Sequence, residues 1–261
     1  MLITLAGTLA AQEDPLGKYY GGSCAKGGER QLSQLAQNVA TNPNDVSSRL
    51  LFAECSSGHD AMPADRWVHW RGLRVQYVLW LTEHFPESQS LVGGMARLYP
   101  VGSGETTAEE YQIVRDTRIH LADKTPSNAD LQANTGYFFT FHELFLAEKY
   151  YRRALDLEPG AWVRSHGLGS LYAEAILWAD GRPKGITRDA PPPDLHSFGI
   201  HSVAQLRLTK NASVIYAAAA ALYQTDPGTV ALAESLRKRA QTLDPRNNLY
   251  TRLSWPPPIV R

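Results

Sequence analysis

Eight histidines are the residues of this 261-residue chain best suited to chemistry. His142-Glu143 opens the run H-E-L-F-L, but a zinc-protease helix needs a second histidine where Leu146 stands. His196 and His201 flank S-F-G-I and stand near Asp189 and Asp194. Imidazoles beside carboxylates make a zinc-type ligand set, so both are weak metal candidates. The simpler reading is a polar loop with solvated histidines. His166, Ser170 and Glu174 recur every four residues along one helical face. That spacing suits hydrogen bonds to a ligand, yet it leaves the groups beyond reach of one another, so they form no triad. An ordinary polar face explains them more simply. No G-x-S-x-G, Walker loop or G-x-G-x-x-G occurs. Gly167 and Gly169 in H-G-L-G-S imitate part of a nucleotide fingerprint, but no strand precedes them. The reading therefore assigns no catalytic residue and no cofactor. Trp67, Trp70, Tyr77 and Trp80 suggest a sugar platform, but their helical spacing fits a buried face better.

Composition narrows the classes further. The chain is 43% hydrophobic and 20% charged, with zero formal net charge. That balance is globular and argues against nucleic acid or an anionic membrane as the main partner. No apolar stretch reaches the roughly 18 residues of a membrane span. Two cysteines occur, Cys24 and Cys55, with no C-x-x-C pattern. Zinc ribbon, thioredoxin and c-type haem readings therefore fail. The start, M-L-I-T-L-A-G-T-L-A-A-Q, is apolar, ends in small residues and lacks a basic n-region. It reads as a truncated signal peptide, which places the protein in the periplasm or outside the cell; otherwise it is cytoplasmic. In an oxidising compartment Cys24 and Cys55 are candidates for one disulfide.

The elements that must position these groups are helices. Residues 1–28 form the apolar leader and an extended lead-in. Helical periodicity then runs over 30–41, 46–55 and the strongly apolar 64–84. Asp45 is a candidate cap for the second of these. Ser88 is a candidate cap for a short helix over 89–99, despite Gly93-Gly94. T-T-A-E-E at 106–110 predicts a capped, acidic helix start, and that helix runs to Lys124. Helices follow over 128–140, 141–157 and 161–179. A Pro/Gly-rich insertion at 180–201 interrupts the pattern, with a displaced helix over 203–210. The last pair covers 215–224 and 229–243, capped by Asn211 or Ser213. Residues 248–261 form a Pro-rich tail that cannot be helical, in which Trp255 is placed to lie back over the helices.

The stretch from Asn128 to Ala173 carries the repeat signal. It reads A-E-K-Y-Y-R-R-A-L-D-L-E-P at 147–159 and L-G-S-L-Y-A at 168–173. Ala147, Tyr151, Ala154 and Pro159, then Leu168, Gly169 and Tyr172, fall in the phase of W-x2-L-G-x2-Y, A-x3-F, P. Prolines 43, 86, 126 and 159 mark successive unit ends. The chain thus resembles the tetratricopeptide repeat family, closely over 128–173 and loosely over 214–245. In the last unit Arg237 stands where an aromatic is expected. The resemblance implies an all-α solenoid of stacked antiparallel hairpins, forming one repeat domain over 29–247. It also implies a groove lined by the first helix of each pair. Carried onto this chain, Gln132, Gly136, Phe139 and Thr140 face that groove from one helix, and His166, Ser170, Ala173 and Glu174 from the next.

The functional expectation is a scaffold that binds a protein or peptide in this groove without catalysis. The alternative is a small-ligand or metal-dependent enzyme using the 189–201 loop over the groove.

Overall fold

The computed structural model describes residues 14–19, 28–56, 64–92, 98, 106–140, 142–181, 192–247 and 250, and of 64–66 the backbone alone. Among them are ten α-helices and no strand: α1 (Gly28–Thr41), α2 (Val46–Cys55), α3 (Ala64–His84), α4 (Ala108–Lys124), α5 (Ala129–Phe139), α6 (Leu144–Leu157), α7 (Trp162–Ala179), α8 (Leu195–Leu208), α9 (Ala212–Thr225) and α10 (Val230–Leu243). Where the sequence reads as one array over 29–247, the chain forms two compact units, Met1–Leu121 and Ala122–Arg261.

The first unit is built around aromatic side chains. Leu32, Leu35 and Val39 on α1 meet Phe52 on α2 and Trp67, Trp70 and Tyr77 on α3. The apolar stripe of α1 has helical spacing, so burying it needs both neighbouring helices. Trp80 is not part of this cluster. The Arg49 guanidinium lies 4.0 Å from its ring centre, and the His84 ring stacks on it at 3.8 Å. The helix starts follow capping chemistry. Asp45 accepts from the Ser48 amide at 2.9 Å. Thr107 and Glu110 form a reciprocal capping box: the Thr107 amide donates to Glu110 at 2.7 Å, and the Glu110 amide to Thr107 Oγ1 at 3.1 Å. Ser88 does not cap a helix. Its hydroxyl donates to Asp14 at 2.7 Å, and Ser90 donates to the same carboxylate through its amide and hydroxyl. Of the helix expected over 89–99, the described part is a 3-10 turn, Gln89–Leu91.

The second unit is a row of helical hairpins. α5 packs on α6, α7 on α8 and α9 on α10, while α7 also packs on α6 and α9. Asn128 and Asn211 cap α5 and α9 by accepting from Leu131 and Val214 amides. The junctions depend on small residues. The Tyr151 ring of α6 fits between two glycines. A Cβ on Gly136 of α5 would sit 3.0 Å from it, and one on Gly167 of α7 would sit 2.5 Å from it. Gly169 lets α7 approach the α9 backbone, where a Cβ would meet the Val214 carbonyl oxygen at 2.6 Å. Arg164 ties these elements at their ends. It donates to the Ala129 carbonyl and to the Asp130 and Glu158 carboxylates.

Two expectations change here. α8 begins at Leu195, eight residues before Val203, so His196 and His201 lie on a helix and not in a loop. Gly199 reads in sequence as a breaker, but it is a contact point: a Cβ there would lie 2.5 Å from Ala179 Cβ. The residue that lies back on α9 is Tyr250, 4.9 Å from the Tyr216 ring and hydrogen-bonded to Ser213. Trp255, the rest of the tail and the leader 1–13 lie outside the described residues.

Candidate functional site

The face of α7 carries the histidine stripe. His166 is exposed, and Ser170 and Glu174 are half-buried. The His166 ring lies 5.9 Å from that of Trp162. Partial burial of the ring lowers its pKa. Imidazole, hydroxyl and carboxylate spaced along one helix can hydrogen-bond an extended ligand.

The matching residues of α5 are not available. Gln132 and Phe139 are fully buried, and Thr140 nearly so. Gln132 Nε2 donates to the Ala122 carbonyl at 2.7 Å, which ties α5 to the end of α4. Thr140 bonds the Gly136 carbonyl and shares a hydrogen bond with the Tyr151 hydroxyl. Phe139 stacks on Tyr150. The resemblance to tetratricopeptide repeats implied a groove position for these three. Core packing takes them, because the α5 face in question is covered by α6.

A second group of functional side chains lies between α6 and α8. Glu148 is buried on α6, and its two oxygens are both engaged. Oε1 accepts from the Tyr172 hydroxyl at 2.6 Å and from Arg152 Nε at 2.9 Å. Oε2 pairs with His201 Nε2 at 2.7 Å. Arg152 also donates to Tyr172 and, at 2.7 Å, to Gln205 Oε1. Burial pushes the Glu148 carboxyl up, but the bonds from Tyr172, Arg152 and His201 outweigh it and hold it below 4.5. Burial and the same carboxylate push the Tyr172 phenol far upward, so it stays protonated. The cluster lines an open depression of about 440 Å³ formed by Phe145, Glu148, Lys149, Arg152, His201 and Gln205.

This arrangement removes the basis for the metal reading of His196 and His201. They lie five residues apart on one helix, about 140° apart around its axis. His201 is committed to Glu148, while His196 is exposed. Asp189 lies outside the described residues, and among the described ones no group of three potential ligands could hold a metal. Asp194 is instead half-buried at the start of α8, where it accepts a backbone hydrogen bond from Phe145. Burial raises its pKa, and Oδ1 has no hydrogen-bond partner among the described residues.

Sequence reasoning missed Glu148, Arg152, Tyr172 and Gln205 as one constellation. The Glu148/Arg152 pair has i,i+4 spacing and is visible in the sequence. Its meeting with His201 depends on the placement of α8. Cys55 is disulfide-bonded; Cys24 lies outside the described residues. Among the described residues no helix is long and apolar enough to cross a membrane.

Fold and site together define an all-helical protein whose second unit is a row of packed hairpins. Comparison with family models, with curated proteins and with solved structures gives no match.

Proposed function

We propose that the protein is a tetratricopeptide-like scaffold that binds a protein or peptide and performs no catalysis. The observation that carries this reading is the Tyr151 ring seated between Gly136 and Gly167. One aromatic from a second helix thereby closes the contact between first helices of neighbouring hairpins, as stacked repeats require. The binding face in this reading is α7, through His166, Ser170 and Glu174. The disulfide at Cys55 supports an exported protein, since such bonds persist in oxidising compartments. The enzyme alternative draws little support: His201 is bound to Glu148, and the Tyr172 phenol is held protonated.

The test is affinity purification of the full chain from its native host, with mass spectrometry and elemental analysis of one sample. The scaffold reading expects a reproducible protein partner, captured at least tenfold less by the His166→Ala/Glu174→Ala double variant. Stoichiometric metal with no partner, or capture indifferent to that variant, overturns it.

A further inference from the structure

The depression between α6 and α8 has a donor–acceptor balance that suits one kind of ligand. Phe145, Glu148, Lys149 and Arg152 fall at i, i+3, i+4 and i+7 of α6, so they share a face. His201 and Gln205 answer them at i and i+4 of α8. Its one carboxylate, Glu148, is buried and has both oxygens engaged from within. Arg152 spends Nε and Nη2 on Glu148, Tyr172 and Gln205, while Nη1 bonds nothing among the described residues. Gln205 accepts from Arg152 through Oε1, which fixes the orientation of the amide and leaves Nε2 as a donor. Lys149 has no ion-pair partner within 4 Å among the described residues. Its ammonium lies 4.9 Å from the Tyr150 ring centre, within the field of Asp123. With Nε2 donating to Glu148, Nδ1 of His201 is left as an acceptor.

Around these donors stands an apolar wall. Phe145 is 45% exposed. Its ring is held edge-on against Phe198 at 4.9 Å and lies 5.3 Å from His201. The depression, of about 440 Å³, is open to solvent.

Donors outnumber free acceptors here, which favours a ligand that accepts. We propose that this depression is a binding site for a carboxylate attached to a short apolar or aromatic group. The carboxylate oxygens take Arg152 Nη1, Gln205 Nε2 and Lys149 Nζ, and the apolar group lies on Phe145. Glu148, Tyr172 and His201 act behind them by fixing the Arg152 guanidinium, so the site is organised before a ligand arrives. The site lies on the second helices of the hairpins and uses no residue of the proposed α7 binding face.

Titration of the full chain tests this, read by calorimetry and by chemical-shift changes of the Arg152 Nε–H. The probes are 3-phenylpropionate, its amide, inorganic phosphate, and an Asp-Phe-containing peptide with its Asn-Phe counterpart. The site predicts that the free acid or the acidic peptide binds and shifts the Arg152 signal, while its amide or Asn counterpart binds at least tenfold more weakly. Whichever of the two binds more tightly identifies the source of the carboxylate. Lys149→Glu and Gln205→Glu change exposed or half-exposed positions and leave the Glu148 bonds to Tyr172 and His201 intact. Each is expected to weaken the carboxylate probe at least tenfold, while His166→Ala leaves it unchanged. Equal binding of acid and amide, no binding to the folded wild type at millimolar concentration, or tighter binding of phosphate overturns the proposal. So does an unchanged Kd in both glutamate variants.

Discussion

The α5–α6–α7 junction and the α9–α10 hairpin occupy corresponding places in the second unit and are closed differently. At the first, the Tyr151 ring is buried between Gly136 and Gly167. At the second, the corresponding position is Arg237, whose side chain is paired with Glu234 at 3.0 Å and partly exposed. α10 is held instead by the small residues Ala233 and Ala240, fully buried, and by Arg239, which donates to the Leu206 and Thr209 carbonyls at the end of α8. An aromatic closes the junction where α6 packs between the first helices of two hairpins. In the last hairpin, small residues and a carbonyl-seeking arginine take its place.

Breaking the first region should have the largest effect. Tyr151→Ala removes a fully packed ring and is expected to cost about 3–5 kcal/mol, whereas Arg237→Ala removes a surface pair worth under about 1 kcal/mol. Urea denaturation of the two variants measures the contrast directly. Comparable losses would show that the two junctions work alike.

Gly169→Ala comes next. The new methyl would press on the Val214 carbonyl and the Ala218 amide, backbone atoms that cannot step aside. Overpacking there is expected to cost about 1–3 kcal/mol, against the usual gain from replacing a helical glycine. A stabilised variant in thermal denaturation would mean that α7 and α9 lie further apart.

The polar side of α6 gives a smaller, pH-dependent effect. The Glu148 carboxyl is held below 4.5 in the folded protein. Its ionised form therefore stabilises the fold fully above the unfolded value, and the contribution is lost as pH falls through the folded value. Glu148→Gln is expected to cost about 1.5 kcal/mol at pH 7, the scale of a hydrogen bond to a charged group. Stability curves of variant and wild type should converge as the pH drops below 4.5. A gap that stays constant from pH 7 to pH 3 would mean that the charge contributes nothing.

Asp194 has the opposite sign and the smallest effect. Its folded pKa is raised, so its contribution is lost as pH rises through that value. Asp194→Asn keeps an acceptor for the Phe145 amide and removes the partly desolvated charge. The variant should match or slightly exceed wild-type stability at pH 7 in the same assay. A clear loss would show that the ionised carboxylate is the form the fold prefers.

Sequence showed most of the helices because their signals are local. Asp45, Asn211 and the Thr107/Glu110 box cap the helices they were read to cap. Tyr151, Ala147 and Ala154 are buried at the spacing that drew attention to them. The start of α8 was hidden because Gly199 and the neighbouring prolines resemble a loop, while the glycine serves a contact with α7 that only packing reveals. The same gap concealed the depression between α6 and α8. Its residues come from positions 145–152 and 201–205, with Tyr172 behind them, and nothing local links these segments. Gln132 and Phe139 were misplaced for a related reason: the repeat resemblance assigns a face, but the neighbouring elements decide whether it is covered.

The most direct test is a double-mutant cycle between Gly167→Ala and Tyr151→Ala, followed by urea denaturation. In the wild type, a methyl at 167 would sit 2.5 Å from the Tyr151 ring, so Gly167→Ala should destabilise. With Tyr151 already alanine the space is open, and the same change should stabilise by about 0.5–1 kcal/mol, the ordinary gain of alanine over glycine in a helix. A reversal of sign between the two backgrounds establishes that the tyrosine closes the junction between neighbouring hairpins. The same effect in both backgrounds would contradict it.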